Sequence, residues 1–495
     1  MPALLLALAF AAGEPHRPLF HFTPARHWMN DPNGMVFFDG EYHLFFQYNP
    51  LGDTWGHMSW GHAVSRDLLR WDELPVALRE EDGVMAFSGS AVVDWKNTSG
   101  FGRDGKPPLV AVYTGHHTGK PLQTQNLASS TDRGRTWTKF AGNPVLDLGE
   151  KDFRDPKVFW HEPTRRWVMV VAWPDKRKVR LYASPDLKAW THLSDFGPAG
   201  SVAGIWECPD LFPLAVEGGG ERWVLVVNVG SGAPAGGSGC QYFVGGFDGT
   251  RFTPAGDATA PLWADWGRDF YAAVSWGDVP AADGRRLWLG WMSNWEYAND
   301  VPTAPWRGAM TVPRELALRP VGGGWRLVQR PVREVERLRG DTAVVPLADV
   351  AGRADLSPLD PVTAGPFDLA VDLQPSADAA FTLALRTGPA EETVLRVDVP
   401  GRTLALDRTR SGAVGFSPKF PGTATAPLRL TGGRLVLRVV ADASSVEVFA
   451  DDGEAVLTSL VLPTAPARRL ALEVTRGRLT RGTVTGWPLA VLRAK

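Results

Sequence analysis

One motif repeats along the chain, and its first copy is Ser65-Arg66-Asp67-Leu68-Leu69-Arg70-Trp71. It returns as Ser130-Thr131-Asp132-Arg133-Gly134-Arg135-Thr136-Trp137 and as Ser184-Pro185-Asp186-Leu187-Lys188-Ala189-Trp190, with a looser copy at Phe247-Asp248-Gly249-Thr250-Arg251-Phe252. Each copy places an aspartate before an aromatic residue. Because aspartate side chains stabilise tight turns by accepting backbone N–H groups, we predict a hairpin whose second strand buries its aromatic side chain in a core.

A second hairpin pattern alternates with this motif. Short apolar and aromatic runs, broken by Gly, Pro, Asn and Asp, occur at 35–48, 109–114, 158–173, 211–229 and 272–291. Helical periodicity is nearly absent before residue 330, which indicates an all-β protein. Repeated β units of this size are typical of a propeller, whereas a plain β-sandwich has no reason to repeat a whole hairpin. We therefore predict a five-bladed β-propeller.

The pattern changes after about residue 320. Tryptophan becomes rare, and apolar and polar residues alternate regularly at 367–373 and 434–440, as in strands with one buried face. A chain of 495 residues is also longer than one hydrophobic core usually organises. We predict an all-β chain with a propeller at 14–325, a linker at 326–340 and a C-terminal β-sandwich at 341–495.

The N-terminus resembles a targeting segment. Residues 3–12 form an apolar run that is too short to span a bilayer, and Ala9 and Ala11 lie in an A-x-A arrangement. We interpret 1–13 as a signal peptide and expect a secreted or periplasmic protein. The alternative is a disordered end, because no positive charge precedes the run. No other stretch of the sequence is apolar enough to suggest a membrane span.

The composition excludes some classes of function and favours one. The formal net charge is −2 and no basic stripe is present, so nucleic acid is not an expected partner. The 21 tryptophans exceed the 7 tyrosines threefold, which suits a carbohydrate enzyme, although tryptophan also fills large β cores. Cys208 and Cys240 are too few for a metal cluster; we favour two reduced thiols, with a disulfide as the alternative. We expect no catalytic metal and no cofactor.

Three acidic motifs lie in three different predicted blades. They are Trp28-Met29-Asn30-Asp31-Pro32-Asn33-Gly34, Phe153-Arg154-Asp155-Pro156 and Trp206-Glu207-Cys208-Pro209-Asp210. Each opens an inner strand, and the inner strands of a propeller line its central channel. A proline follows each acid closely and restricts the local backbone. We therefore predict that Asp31, Asp155 and Glu207 converge at one end of the channel.

Converging carboxylates fit glycoside hydrolysis. That reaction uses one carboxylate as nucleophile or base and another as proton donor to the leaving oxygen. A third can hold sugar hydroxyls while charge develops on the ring. The alternative is that Asp-Pro and Asn-Gly simply form turns. Three motifs at equivalent positions of three blades favour the catalytic interpretation.

These motifs resemble those of glycoside hydrolase family 32, which includes invertases, levanases, inulinases and fructan exohydrolases. The resemblance extends over most of 15–330 and weakly into the C-terminal region. Besides the three acidic motifs it includes Phe46-Gln47-Tyr48-Asn49-Pro50, Trp60-Gly61-His62-Ala63, Phe87-Ser88-Gly89-Ser90, Asp269-Phe270-Tyr271-Ala272 and Gly290-Trp291-Met292-Ser293-Asn294-Trp295.

The resemblance implies roles for individual residues. Asp31 corresponds to the nucleophile, Glu207 to the general acid and base, and Asp155 to the residue that stabilises the transition state. The positions implied to bind the fructosyl unit are Asn30, Gln47, Trp55, Phe87, Ser88, Arg154 and Trp291. The sequence departs from the family at His57 and Met58, which puts the leaving-group subsite in doubt. Cys208 is interpreted as a packing residue rather than a nucleophile.

The implied activity is that of a retaining β-fructofuranosidase. Such an enzyme removes terminal non-reducing β-D-fructosyl residues from fructans such as levan and inulin, and from sucrose, through a covalent fructosyl-enzyme intermediate. The alternatives are an arabinan- or xylan-cleaving propeller enzyme, a fructosyl transferase and a non-catalytic carbohydrate-binding propeller. The region 291–300 favours fructan substrates, while the preferred substrate and the oligomeric state stay open.

Overall fold

The computed structural model describes residues 14–388, 390–464 and 469–492. The predicted signal peptide at 1–13 lies outside the described residues. Within the described part of the chain, five consecutive sheets are followed by two six-stranded sheets, so the predicted five-bladed propeller and C-terminal sandwich are confirmed. No helix in these ranges has the length and apolar character needed to cross a membrane.

Each of the first four blades is an antiparallel sheet whose main strands follow one another in sequence. The first contains β1 (His27–Phe38), β2 (Glu41–Asn49), β3 (Ser59–Ser65) and β4 (Asp72–Leu78). The second contains β5 (Val84–Val93), β6 (Leu109–His117), β7 (Leu122–Ser130) and β8 (Thr138–Lys139). The third contains β9 (Arg154–His161), β10 (Arg166–Trp173), β11 (Lys178–Ser184) and β12 (Thr191–Phe196). The fourth contains β13 (Trp206–Ala215), β14 (Glu221–Val229), β15 (Gly239–Phe247), β16 (Phe252–Pro254) and the short β17 (Leu262–Trp263).

The fifth blade closes the ring. Its strands are β18 (Tyr271–Ser275), β19 (Arg286–Trp291), β21 (Arg314–Val321) and β22 (Gly324–Pro331). Between β19 and β21 the chain crosses to the first blade, where β20 (Trp306–Arg307) pairs in parallel with β1. The first strands of neighbouring blades contact one another around the ring, so β1, β5, β9, β13 and β18 form the wall of a central channel.

The repeated aspartate motif occupies the turn between the third and fourth strands of a blade, as predicted. Asp67 Oδ1 accepts the N–H groups of Leu69 and Arg70 at 3.1 and 2.8 Å, and Asp186 Oδ1 accepts those of Lys188 and Ala189 at 2.9 Å each. Asp132 and Asp248 make corresponding bonds in the second and fourth blades. The following aromatics, Trp71, Trp137, Trp190 and Phe252, are partly or fully buried.

The predicted boundary of the propeller at 325 is wrong. Strand β22 runs to Pro331 and pairs with β21 along its whole length. Gly322 and Gly323, with φ of 57° and 81°, form the tight turn between these strands, so the glycine-rich stretch is a hairpin turn and not a domain break. The linker instead contains a 3-10 helix at Arg333–Leu338, inside the predicted 326–340. The other 3-10 helices of the described residues are Glu162–Thr164, Pro174–Lys176, Ala298–Asp300, Ser357–Leu359 and Asp451–Gly453.

The C-terminal region is a sandwich of two antiparallel sheets with one apolar core between them. In spatial order the first sheet contains β23 (Ala343–Val350), β34 (Leu479–Pro488), β25 (Phe367–Pro375), β30 (Leu435–Asp442), β31 (Ser445–Ala450) and β32 (Ala455–Leu460). The second contains β24 (Arg353–Ala354), β33 (Arg469–Arg476), β26 (Ala380–Thr387), β27 (Glu392–Asp398), β28 (Thr403–Arg410) and β29 (Thr423–Pro427).

Buried charged groups join the two domains. Arg314 of β21 donates from Nη2 to Glu447 Oε2 and Thr458 Oγ1 of the sandwich, at 2.6 Å each. The segment before the first blade also reaches the sandwich, because the fully buried ring of His21 lies 2.8 Å from both Asp442 and Glu447. Apolar contacts surround these groups. The sandwich is therefore docked through specific hydrogen bonds as well as through apolar packing.

Candidate active site

The five inner strands share one irregularity near their N-terminal ends. Their pairing with the second strand shifts register between Met29 and Pro32, between Phe87 and Gly89, beside Asp155, between Glu207 and Asp210, and between Tyr271 and Val274. These are β-bulges, which change the direction of a side chain and frequently occur next to active sites.

Proline explains three of the five bulges. Pro32, Pro156 and Pro209 lack the backbone N–H that a regular ladder requires, so pairing is interrupted where each of them lies. Backbone conformation adds to this effect, because Asp155 and Cys208 adopt positive φ of 66° and 43°. The sequence thus directs one or two side chains of each inner strand toward the same end of the channel.

That end of the channel is a cavity of about 780 Å³. The predicted site residues that line it are Asn30, Asp31, Gln47, Trp55, Phe87, Ser88, Arg154, Asp155 and Glu207. Asp31 and Asp155 retain only 8% and 5% of their exposure, whereas Trp55 at the mouth is 41% exposed. The acids therefore lie at the base of the cavity and an aromatic ring lies at its entrance.

Trp291 lies behind the cavity wall, in contrast to the prediction. It is fully buried and ends β19, the second strand of its blade, where it pairs with Tyr271 of the inner strand. Its ring centroid is 4.8 Å from that of Trp295, and Trp295 lines the cavity. Trp291 therefore supports the wall from behind, and Trp295 faces the cavity.

Asp31 is surrounded by hydrogen-bond donors. Its Oδ1 accepts the Asn30 amide at 3.0 Å, and its Oδ2 accepts the Ser88 hydroxyl at 2.9 Å and the Cys208 thiol at 3.4 Å. Burial raises the pKa of Asp31, and the neighbouring charge of Glu207 raises it further, while these hydrogen bonds oppose the shift. Asp31 is consequently a fixed, weakly solvated carboxyl group.

Glu207 is held by two side chains. Arg154 donates from Nε and Nη2 to Oε1 at 3.0 and 2.9 Å, and the Tyr271 hydroxyl donates to Oε2. Arg154 is itself oriented by Gln123 and Asp152, whose oxygens accept from Nη1 at 3.2 and 3.1 Å. Both guanidinium donors reach the same oxygen, and the Tyr271 hydroxyl reaches the other. The Glu207 carboxyl group is therefore immobilised at both of its oxygens.

Asp155 lies close enough to the other two acids for their charges to act on it. Its Oδ2 accepts the backbone N–H of Cys208 at 2.9 Å. Burial raises the pKa of Asp155 to about 7; the adjacent Arg154 opposes the shift, and the charges of Glu207 and Asp31 add to it. The Arg154 guanidinium therefore offsets part of the burial cost of the charged form of Asp155.

Cys208 contacts two of the acids, which the sequence interpretation did not foresee. Its sulfur lies 3.4 Å from Asp31 Oδ2 and 3.7 Å from Asp155 Oδ2. Burial and the three neighbouring carboxylates raise the pKa of the Cys208 thiol well above its usual range. The thiol is thus protonated and acts as a weak donor, and both Cys208 and Cys240 are free and buried.

Tyr271 is the main residue that the sequence interpretation missed. It belongs to the quoted motif Asp269-Phe270-Tyr271-Ala272 and occupies the bulge of the fifth inner strand. Comparison of equivalent blade positions would have pointed to it. Gln123 and Asp152 were also missed, because their role depends on Arg154. His57 and Met58 lie outside the cavity lining: His57 pairs with Glu80 at 2.7 Å, and Met58 is buried.

Replacement of Tyr271 by phenylalanine is expected to lower kcat/KM about 10- to 100-fold. The change removes one hydroxyl donor from the Glu207 carboxyl group, and a hydrogen bond to a charged group contributes about 1.5–3 kcal/mol. Steady-state kinetics on sucrose measure the effect. Tyr113→Phe serves as the control, because Tyr113 is a buried tyrosine of the second blade outside the cavity lining. Equal losses in the two variants would contradict a specific role for Tyr271.

A loop from the fifth blade covers one side of the cavity and is anchored by the sandwich. Asn299 of this loop accepts the backbone N–H of Trp55 at 2.9 Å. The Tyr297 hydroxyl donates to Asp269, and Arg408 of β28 donates to Tyr297 at 2.8 Å and to Asp269 at 2.5 Å. Arg408 is fully buried, so the second domain supports the loop from below.

Among the described residues, no group of three or more His, Cys, Asp or Glu side chains is arranged to hold a metal ion.

The chain matches known proteins over nearly its whole length. Residues 21–331 match the Glycosyl hydrolases family 32 N-terminal domain, and 334–488 match the Glycosyl hydrolases family 32 C terminal domain. The first match ends at residue 331, which is also the last residue of β22 and of the propeller.

Similar relatives and solved structures include three proteins. The levanase of Bacillus subtilis (strain 168) is 49% identical over 504 residues, which cover 99% of this chain and 74% of the relative. The exo-inulinase of Aspergillus awamori has a crystal structure with a TM-score of 0.92, 38% identity and coverage of 98% and 100% of the two chains. The β-fructofuranosidase of Schwanniomyces occidentalis, complexed with fructosyl-erythritol, has a TM-score of 0.86, 30% identity and coverage of 97% and 99%. The chain therefore belongs to glycosyl hydrolase family 32 and is a hydrolase of O-glycosyl bonds.

Proposed function

We propose that the protein is an exo-acting, retaining β-fructofuranosidase that releases terminal β-D-fructosyl residues from fructans and sucrose. The observation that carries the proposal is the convergence of Asp31, Asp155 and Glu207 at the base of one cavity. The relatives support a fructosyl substrate, since they include a levanase, an exo-inulinase and a β-fructofuranosidase complexed with fructosyl-erythritol. Acids at the base of a cavity, rather than along an open groove, favour attack on a chain end.

The first chemical step forms a covalent intermediate. Asp31 attacks the anomeric carbon of the terminal fructosyl unit while the bond to the leaving oxygen breaks, and Glu207 transfers its proton to that oxygen. Asn30 and Ser88 keep the Asp31 carboxylate in position through their hydrogen bonds. Arg154 and Tyr271 keep the Glu207 carboxyl group in position in the same way.

The second step hydrolyses this intermediate. Glu207, now deprotonated, takes a proton from water, the water oxygen bonds to the anomeric carbon, and Asp31 leaves as a carboxylate. Asp155 accepts hydrogen bonds from hydroxyl groups of the fructosyl ring in both steps and stabilises the positive charge that develops on it. The cycle restores the proton to Glu207 and consumes one water molecule.

The proposed activity is tested by a side-by-side assay on sucrose, inulin and levan. We expect free fructose as the first product from each, because an exo-acting enzyme releases single units from chain ends. The same assay at high sucrose concentration detects oligosaccharide synthesis and so distinguishes a transferase. Release of oligosaccharides from inulin as first products would contradict the exo mode, and inactivity on all three substrates would contradict the function.

The first fructose released is expected to be the β-anomer. Two successive displacements at the anomeric carbon retain its configuration, whereas a single displacement by water inverts it. Proton NMR of the earliest product decides between these outcomes before mutarotation mixes the anomers. Initial release of the α-anomer would mean that Asp31 acts as a base and not as a nucleophile.

We also infer that the protein is secreted. The relatives named as extracellular exo-inulinases support this location, and so does the short apolar run at 3–12. Expression in a bacterium followed by N-terminal sequencing of the exported protein tests the inference, with cleavage expected near residue 13.

A further inference from the structure

The central channel has a second cavity, of about 690 Å³, at its other end. The active-site cavity is lined by early residues of the inner strands, such as Asp31 and Glu207. The second cavity is lined by late residues of the same strands, including 91–93 of β5, 157–161 of β9 and 210–213 of β13. The mechanism above uses none of these residues.

The second cavity contains polar groups that the fold leaves incompletely satisfied. Asp210 and Ser275 line it and are almost fully buried, and Asp210 Oδ1 and Ser275 Oγ have no hydrogen-bond partner among the described residues. The Arg286 guanidinium makes one long hydrogen bond, from Nη1 to the Trp276 carbonyl at 3.3 Å. Buried polar atoms are normally paired. Asp210 and Ser275 therefore form a polar layer beneath the cavity surface, and the partly exposed Arg286 guanidinium has donors left for a polar ligand.

The charged groups that line the second cavity are five acids, Asp94, Glu162, Asp210, Glu221 and Asp278, and three bases, Lys96, Lys157 and Arg286. Lys157 Nζ lies 3.2 Å from Asp210 Oδ2, and Arg286 is attracted electrostatically by Asp210 and Asp278. At the rim, Lys96 lies 3.5 Å from Glu162. This formal excess of two negative charges disfavours an anionic ligand. Donors beside acceptors suit hydroxyl groups, which donate and accept at the same atom.

Aromatic rings complete this surface. Trp95 is 60% exposed at the mouth of the second cavity, and Trp55 is 41% exposed at the mouth of the active-site cavity. Among the Trp, Tyr and Phe side chains of the described residues, these two are the exposed ones. Trp95 is fixed, because its indole N–H donates to Asp278 Oδ1 at 2.9 Å and its ring lies 5.8 Å from Phe38. A fixed, exposed indole face offers an apolar platform on which a sugar ring can stack.

We propose that this second cavity is a non-catalytic binding site for a neutral oligosaccharide. Trp95 stacks on one sugar ring, while Arg286 and Asp278 form hydrogen bonds with hydroxyl groups of the oligosaccharide. That the natural ligand is a fructan segment rests on the proposed function.

Binding stoichiometry tests the proposal directly. The probe is nystose, a neutral oligosaccharide with three fructosyl units, and the protein is the full chain carrying Asp31→Ala, which prevents its consumption. Calorimetric titration is expected to show two sites per chain. Adding Trp95→Ala is expected to weaken the second site at least about tenfold, a typical cost of removing a central tryptophan, and to leave the first unchanged.

Two further variants control this test. Trp325→Ala removes a half-buried tryptophan outside both cavities and is expected to retain two sites. Trp95→Phe retains an aromatic face and is expected to bind with intermediate affinity. A single binding site in the protein that retains Trp95 would overturn the proposal. Two unchanged sites in the Trp95→Ala variant would also overturn it, when this variant has the same melting temperature as its parent.

Kinetics on the otherwise unmodified enzyme separate this proposal from the proposed function. Trp95→Ala is expected to leave kcat and KM for sucrose unchanged and to raise KM for inulin several-fold. If the enzyme hydrolyses no fructosyl substrate, the proposed function fails. Binding to the second cavity is then tested with a different neutral oligosaccharide, cellotetraose. Loss of that binding in Trp95→Ala would support the site, and absence of binding would overturn it.

Discussion

Replacing Asp31 with asparagine is expected to lower kcat on sucrose by about 10⁴-fold or more, because the covalent step loses its nucleophile. The same change is expected not to lower the melting temperature. Burial raises the pKa of Asp31, so the folded protein disfavours the charged form that dominates the unfolded chain at neutral pH. A neutral amide of the same shape removes that unfavourable contribution.

Steady-state kinetics and thermal unfolding of the Asp31→Asn protein measure both effects. Asp67→Asn is the matched control, since it makes the same chemical change in a turn of the first blade outside the cavity. The control should retain full activity. A kcat within tenfold of wild type in folded Asp31→Asn protein would remove Asp31 from the role of nucleophile.

Replacing His21 with glutamine is expected to lower the free energy of unfolding by about 3–5 kcal/mol near pH 6, the usual cost of removing one partner from a buried ionic group. His21 lies between Asp442 and Glu447, and Arg314 also contacts Glu447. Burial alone would lower the pKa of His21, but the hydrogen bonds and charges of these two carboxylates raise it to about 9. The imidazolium therefore holds the segment before the first blade against the sandwich.

The pH dependence of this effect has a definite sign. The folded-state pKa lies above the unfolded value of 6.5, so the stabilisation is complete below pH 6.5 and is lost as the pH rises through about 9. This rise in pKa corresponds to about 3 kcal/mol. Denaturant unfolding at pH 6 and pH 10 should therefore show a large difference between wild type and His21→Gln at the lower pH and a much smaller one at the higher pH.

His192→Gln provides the control for this experiment. His192 lies 2.8 Å from Asp195, a contact as short as those of His21, but its side chain is 43% exposed. Exposed ion pairs contribute little, so this variant should lose at most about 0.5 kcal/mol. Similar losses in the two histidine variants, or a loss in His21→Gln that does not change with pH, would contradict the ionic role of His21.

The features that sequence analysis predicted correctly depend on local physical chemistry. Asp67, Asp132 and Asp186 accept backbone N–H groups within a few residues, so the blade turns could be recognised and counted. Pro32 and Pro156 interrupt strand pairing beside their acids, so three distant motifs could be assigned to equivalent positions in the ring. The predicted boundary at 325 lies where the sequence pattern changes, and only the pairing of β21 with β22 shows that the last blade continues to Pro331.

The features that could not be predicted depend on contacts between distant parts of the chain. His21 and Asp442 are separated by 421 positions, and no local pattern relates them. The depth of Trp291 depends on which strand of the blade carries it. The Tyr271 hydroxyl gains its role only when the fifth blade approaches the fourth. The Cys208 thiol gains its role only when the fourth blade approaches the first and the third.

The contact of Arg408 with Tyr297 and Asp269 has a consequence for enzyme engineering. Asp269 is two residues before Tyr271, which contacts Glu207, and Tyr297 is two residues before Asn299, which contacts Trp55 at the mouth of the cavity. One buried guanidinium of the sandwich therefore supports both the Glu207 side of the cavity and the loop at its entrance. A chimera that combines this propeller with the sandwich of another family member would therefore inherit a different entrance even if every cavity residue stayed the same. Selectivity between short and long substrates should follow the donor of the sandwich, and libraries aimed at selectivity should include the residues around Arg408.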